Sequence, residues 1–323
     1  MLSIIFISFI LCVTLLLLIG IHECGHYWIA KLFSIPVERF VISPLGGFVK
    51  FKADYSFESA AIYKRACIIL GGPLFNLILA FLAYWFVFSV GILQPAPIVG
   101  KILPNSVAAH SGIAVNSKIL SVDDHVTATW TSVIFRVLPH VGKSDVLHIQ
   151  TTQGIFKIKL DHFKLDSLKP NLLLNLGIIP KENNKSELIL RKFSAWQAIP
   201  ESLHEVWLYL YVNGVVVEKI LTGNISLRSL VGPVGLLSSA FFVAKQGVVV
   251  YAAFLGFVSV GLAFINLLPI PGLDGANFLY LIIELFRGKP LSSALQMLLF
   301  RLGIILLTVL MIQALMNDLS RLL

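Results

Sequence analysis

Charge is scarce in this sequence. Only 13% of its 323 residues are Asp, Glu, Lys or Arg, against about 25% in ordinary soluble domains. With 57% hydrophobic residues and a mean hydropathy of +0.87, several segments must face lipid. Acidic residues are the scarcer sign, 17 against 25 basic, which gives a formal net charge of +8. In a soluble protein that surplus would point to nucleic acid. Here it is assigned to cytoplasmic loops that hold a membrane topology, and no nucleic-acid partner is expected.

Cysteine is rare too. Cys12, Cys24 and Cys67 lie in or beside apolar segments, and an odd count without a CxxC pair excludes a disulfide framework and a cysteine zinc site. No basic region precedes the first apolar stretch and no A-x-A site follows it. That stretch is therefore expected to stay as a helix and not to leave as a signal peptide. Internal repeats and low-complexity tracts are absent as well.

What the chain does have is long apolar runs. Residues 1–33 read as a first transmembrane helix and 63–94 as a second, each long enough for a hydrocarbon core that takes about 20 residues. Between them, 34–62 alternates apolar and polar side chains around a Gly-Gly turn, a β-hairpin pattern. This loop and the helix ends that flank it carry Lys31, Arg39, Lys50, Lys52, Lys64 and Arg65 against Glu38, Asp54 and Glu58, which makes the loop cytoplasmic by the positive-inside rule. Residues 95–163 turn soluble and strand-rich, a compact extracytoplasmic domain. A polar linker over 164–187 and amphipathic helices complete 164–247. A third apolar segment covers 248–286 and a fourth 290–323, with Arg287 and Lys289 marking a cytoplasmic turn.

The chemistry is concentrated in "GIHECGHYWIA", residues 20–30. His22 and His26 stand four apart, so on a helix both imidazoles share a face and can hold one metal ion. Glu23 lies beside the open coordination position, where a carboxylate can take a proton from water. HExxH also arises by chance, but inside an apolar helix an idle copy would cost several kcal/mol. A catalytic zinc site needs a third protein ligand. The remaining histidines, at 110, 125, 140, 148, 162 and 204, all fall outside the apolar segments. Apart from Glu23, the acidic residues within those segments, the fourth of which is apolar over about 291–316, are Asp274 and Glu284. Glu284 sits near Arg287 at a helix end and reads as a solvated ion pair. Asp274 follows "NLLPIPG", where two prolines and a glycine must break the helix, and such backbone is tolerated at membrane depth only when buried or lining a cavity. Asp274 is the expected third ligand. In "GGPLFN", 71–76, the glycines admit a plain packing role, while Asn76 and Asn266 are amides able to hydrogen-bond an unwound peptide. The hairpin at 43–51 is either a plain loop or an edge strand for an extended peptide.

"HECGH", "GPLFN" and "NLLPIPGLDG" together resemble the signature of the site-2 proteases, zinc intramembrane metalloproteases. The order of parts is similar to the bacterial sigma-E-regulating branch of that family. The resemblance implies an α-helical polytopic membrane protein with about four transmembrane helices, a re-entrant β-hairpin and an inserted β-rich PDZ domain. It implies one zinc ion per chain on His22, His26 and Asp274, Glu23 as general base, and Asn76 and Asn266 in the motifs that shape the substrate site. That branch usually carries two tandem PDZ domains, and 95–163 has room for one. The expected activity is cleavage of transmembrane segments after a first extracytoplasmic cut. The expected substrates are a single-span anti-sigma factor in a stress response and remnant signal peptides. A monomer in the bacterial inner membrane is expected, PDZ domain in the periplasm, active site toward the cytoplasm. Two rivals remain open, a membrane metal transporter and an inactive PDZ-bearing binding module. Replacing Glu23 by Gln separates them, because only proteolysis depends on that carboxylate.

Overall fold

The structure is a computed structural model that describes residues 2–43, 46–51, 57–161, 163–165, 171–181 and 187–322. Pro44 and Leu45, the stretch 52–56, His162, and 166–170 and 182–186 of the expected linker lie outside the described residues. Along the chain, helix α1 (Leu2–Leu32) is followed by strands β1 (Val37–Ser43) and β2 (Gly46–Phe51) and by α2 (Ile62–Val90). Next come β3 (Ile92–Pro95), β4 (Val99–Ile102), α3 (Val107–Ser111), β5 (Ile119–Val122), β6 (His125–Val126) and α4 (Trp130–Val137). Then follow β7 (Asp145–Thr151), β8 (Gly154–Leu160), α5 (Leu172–Leu176), β9 (Ile178–Pro180) and β10 (Leu188–Arg191). Five further helices are α6 (Ala198–Leu221), α7 (Pro233–Lys245), α8 (Val248–Leu267), α9 (Asp274–Arg287) and α10 (Ser293–Leu322).

The chain divides into two units. One is helical, built from Met1–Ser89, Ser194–Leu210 and Gly232–Asp318. Among the described residues, four helical stretches are long and apolar enough to cross a membrane: Cys12–Leu32, Ile62–Val90, Val248–Leu267 and Ser293–Arg321. These are the four spans expected from the apolar runs.

Glycine sets how closely α1 and α2 approach. A Cβ on Gly25 would run into the carbonyl oxygen of Gly71, and one on Gly71 would lie 2.7 Å from the carbonyl oxygen of Gly25. Backbones can touch there because neither residue has a side chain, the usual device where no hydrophobic force drives membrane helices together. On the other side of α2, Gly256 of α8 packs against the ring of Tyr84, and Ser259 Oγ donates to the Asn76 carbonyl oxygen at 2.8 Å. Gly71 fills the packing role left open for the "GGPLFN" glycines.

The third apolar segment breaks where its prolines require. α8 ends at Leu267, the backbone turns through Pro269, Pro271 and Gly272 (φ +99°), and α9 starts at Asp274 itself. Prolines have no N–H to continue a helix ladder, and the positive φ suits glycine. The hairpin pairs Val37–Phe51 antiparallel, so it is longer than the 43–51 stretch. A separate tie holds α7. Asp318 of α10, 3% exposed, accepts from Gly232 N and Gly235 N at 2.9 Å each and so satisfies the helix start.

The second unit comprises Val90–Phe193, Tyr211–Val231 and Leu319–Leu323. Its main sheet has the antiparallel order β6-β5-β7-β8, and β4 pairs with β9 and β3 with β10. Here the expected boundaries need correction. Residues 171–181, read as polar linker, fold into this unit. Leu172, Leu173, Leu176 and Ile178 are buried in the same core as Ile119, Leu147 and Ile158. Asn171 caps α5 by accepting from Leu173 N and Leu174 N, and Gly177 (φ +85°) ends it. Five apolar side chains in seven residues, four of them buried, are reason enough to bury the segment.

Candidate metal centre

α1 has 31 residues, and His22 lies about 30 Å along its axis from Leu2 at 1.5 Å per residue. His22 and His26 sit one turn apart there, and α9 delivers Asp274 opposite them. The three donor atoms converge. His22 Nε2 lies 3.1 Å and His26 Nε2 3.4 Å from Asp274 Oδ2, and the two Nε2 atoms are 3.2 Å apart. Among the described residues no other set of three His, Cys, Asp or Glu side chains converges in this way. The structure thus brings together all three residues expected as ligands.

Several observations test whether this set fits a zinc ion. Ligand bonds of about 2.0–2.2 Å in a tetrahedron put neighbouring donors about 3.3–3.6 Å apart, close to the distances found. The proton count points the same way. His26 Nδ1 lies 2.7 Å from the Ile68 carbonyl oxygen, which can only accept, so Nδ1 carries the proton. In the neutral ring Nε2 then presents a bare lone pair. That lone pair faces a second imidazole nitrogen and a carboxylate oxygen, and Asp274 Oδ2 is buried without a hydrogen-bond partner. Electron pairs converging on one point are mutually repulsive unless a cation sits among them. Asp274 is also the first residue of α9, where the helix dipole favours negative charge.

Glu23 is next to His22 and 8% exposed. The hairpin backbone covers it, because a Cβ on Gly47 would collide with its side chain and lie 3.0 Å from Oε1. Gly72 plays the matching part on α2, where a Cβ would meet His26 Nε2 and lie 2.7 Å from His22 Nε2. Glu23, both histidines and Asp274 line one cavity of about 950 Å³, whose wall also includes Gly47, Phe48, Asn266 and Asn277. Of the two amides singled out in the sequence, Asn266 is on that wall. Asn76 is not. It is fully buried beneath His22, its amide 3.2 Å from His22 Nδ1.

Glu284 is a correction. It does not form a solvated pair with Arg287. Its carboxylate is bound twice by Arg65 of α2, at 3.0 Å to Nη1 and 2.5 Å to Nη2, with the side chains 14% and 7% exposed. Both line the cavity. In the sequence Arg65 reads only as charge beside the loop. The signal that could have found the pair is periodicity on α9. Asp274, Asn277, Leu281 and Glu284 are spaced to share one helix face, and all four line the cavity.

Comparison with known proteins agrees with this geometry. Residues 10–310 match Peptidase family M50. The chain is similar to the "Regulator of sigma-E protease RseP" of Escherichia coli, 27% identical over 438 aligned positions that cover 96% of this chain and 97% of that protein. It is similar to the "Regulator of sigma E protease" of Haemophilus influenzae, 24% identical with 98% of both chains covered. A Vibrio cholerae protein named as a zinc metalloprotease is also 24% identical, with 98% of both covered.

Proposed function

This chain belongs to peptidase family M50, the site-2 metalloproteases, and from that premise we propose that it hydrolyses a peptide bond within the transmembrane segment of a membrane protein. The observation that carries the proposal is the convergence of His22, His26 and Asp274 beside Glu23, on a cavity among membrane-grade helices. His22 Nε2, His26 Nε2 and Asp274 Oδ2 would hold a zinc ion. Bound there, zinc supplies Lewis-acid polarisation of the scissile carbonyl and of the attacking water. Glu23 accepts the proton of that water and passes it to the leaving amine nitrogen, a general base that becomes a general acid. The substrate helix must unwind first, because its carbonyls are tied in i to i+4 bonds. Asn266, on the cavity wall, is suited to bind the peptide groups so released, and the hairpin edge at Gly46–Val49 to align an extended chain.

The substrate class is single-span membrane proteins already trimmed outside. Relatives named for sigma-E regulation support an anti-sigma factor, and remnant signal peptides share the same chemistry. The β-rich unit is taken as one PDZ module that gates access from the periplasm. In the Escherichia coli comparison the aligned positions far outnumber the residues of this chain. A domain's worth of that relative therefore falls opposite gaps, which supports one module in place of two. The excess of basic residues over 31–65, six against three acidic, supports a cytoplasmic hairpin and an active site on that side. The test is co-expression of the chain with candidate single-span proteins, with Glu23→Gln alongside. Fragments cut within the apolar segment should appear with Glu23 and vanish with Gln. Fragments that persist in Glu23→Gln would refute the proposal.

A further inference from the structure

Asn76 has a chemistry that neither substrate contact nor packing explains. It is fully buried in α2, its amide nitrogen is placed 3.2 Å from His22 Nδ1, and its Oδ1 is buried without a hydrogen-bond partner. A buried amide oxygen left unsatisfied is costly, so the arrangement asks for a reason. The reason follows from which nitrogen of His22 faces the other ligands. Nε2 points at His26 and Asp274, so in a neutral ring that binds a cation through Nε2 the proton must be on Nδ1. An N–H there needs an acceptor. The amide nitrogen of Asn76 cannot accept, while its oxygen can, and nitrogen and oxygen of an amide exchange places by a half-turn about the last side-chain bond. With that half-turn, Oδ1 accepts from His22 Nδ1–H, and the orphaned oxygen and the orphaned proton satisfy each other.

We propose that Asn76 is a positioning residue of the metal centre: its Oδ1 accepts the Nδ1 proton of His22 and so holds that ring with its Nε2 lone pair toward the metal. This rests on the metal-dependent reading of the site. Asn76 thus matches the role of the Ile68 carbonyl under His26, which accepts the Nδ1 proton of the other ligand at 2.7 Å. One histidine is set by a backbone acceptor and the other by a side chain. Only the second can be removed by mutation. The backbone of Asn76 is independently fixed, since its carbonyl accepts from Ser259 Oγ at 2.8 Å, so a change of side chain leaves the α2–α8 tie in place.

The experiment measures zinc affinity of the purified full chain in detergent, by competition with a chelator, for wild type, Asn76→Leu and Asn76→Asp. Leu has similar size and no acceptor. Asp keeps the acceptor and cannot present an amide N–H. Outer-shell partners of ligating histidines are typically worth about 10–100-fold in metal affinity. Asn76→Leu should therefore bind zinc about 10–100-fold more weakly, and Asn76→Asp should stay near wild type or above it. A purely structural amide predicts a different pattern, in which both variants fall together and in step with the melting temperature of the metal-free chain. That pattern overturns the proposal, and so does an Asn76→Leu chain with wild-type affinity. Should Leu fail to fold, the Asp variant decides alone: loss of zinc there refutes an acceptor role, and retention supports it. A wild type that holds zinc yet cleaves no membrane substrate would sink the proteolytic reading and leave this one standing.

Discussion

Gly72→Ala is the substitution whose outcome runs most directly against ordinary helix chemistry. In a helix interior Ala is favoured over Gly by about 0.8–1.0 kcal/mol, so the change should stiffen α2. Yet the added methyl would sit 2.7 Å from His22 Nε2 and closer still to His26 Nε2. Carbon and nitrogen in ordinary contact stand about 3.5 Å apart, so the His22 ring must retreat by about 0.8 Å and the His26 ring by about 1.1 Å. Metal–ligand distances tolerate about ±0.2 Å. The imidazoles are free ends of side chains and can swing away, which leaves the metal-free fold intact while the donor triangle opens. Zinc affinity should fall by at least the roughly 100-fold that marks the upper range for outer-shell changes, because here ligands themselves are displaced. The assay is chelator competition together with thermal melting of the metal-free chain, which should stay near wild type. Gly25→Ala is the contrast. Its methyl meets the backbone of Gly71 and Gly72, which cannot swing, so that variant should lose melting temperature and not zinc alone. Wild-type zinc affinity in Gly72→Ala would refute the account of how α1 and α2 frame the site.

Other outcomes follow from named contacts. Asp274→Ala should abolish proteolysis and cut zinc occupancy measured by metal analysis. Glu284→Gln should keep zinc but leave the 7%-exposed Arg65 without a countercharge, at a cost of about 3 kcal/mol visible as a lower melting temperature. Asp318→Ala removes both acceptors from the α7 start and should cost about 1–2 kcal/mol, read as faster protease nicking near Gly232. Cysteines placed at Gln153 and Lys289 in a chain lacking Cys12, Cys24 and Cys67 should label from opposite sides of the membrane. Labelling from one side would overturn the topology argued from basic residues.

Which parts were legible in the sequence depended on whether the cause was local. The His22–His26 pair follows from helix periodicity, and the break before Asp274 from the missing N–H groups of Pro269 and Pro271. Both causes lie within a few residues of their effects, and both appear in the structure as expected. The Arg65–Glu284 pair joins residues 219 apart, and Asp318 caps a helix start 86 residues away. No spacing rule reaches so far, although the α9 face did carry a partial signal. The glycines of α2 were ambiguous for a related reason. A glycine in a helix interior is a penalty until one knows what crosses it, and Gly71 and Gly72 are crossed by Gly25 and by the two imidazoles. The segment 171–181 was misread because its polar neighbours dominated the composition, while Leu172, Leu173, Leu176 and Ile178 are what the fold uses.

The site also answers how hydrolytic chemistry can persist in an apolar medium. Each polar ligand is placed by a local departure from a regular, lipid-compatible helix. At Gly25, Gly71 and Gly72 the side chains are gone, so α2 backbone covers the histidine rings closely and supplies the Ile68 carbonyl as an acceptor. At Pro269–Gly272 the helix ladder is interrupted, which leaves backbone groups that hydrocarbon would penalise. Neighbours cover them. Gly275 lets α9 close against the Leu267 carbonyl, and Gly303 of α10 lets that helix press on the Pro271 carbonyl. The interruption also creates a helix N-terminus in the middle of the bundle, and Asp274 occupies its first position, where the dipole favours the carboxylate. A straight third helix would have presented an aspartate to lipid with neither dipole nor partner. The break is therefore what makes an anionic ligand tolerable at this depth, and the glycines are what let two neutral imidazoles meet it.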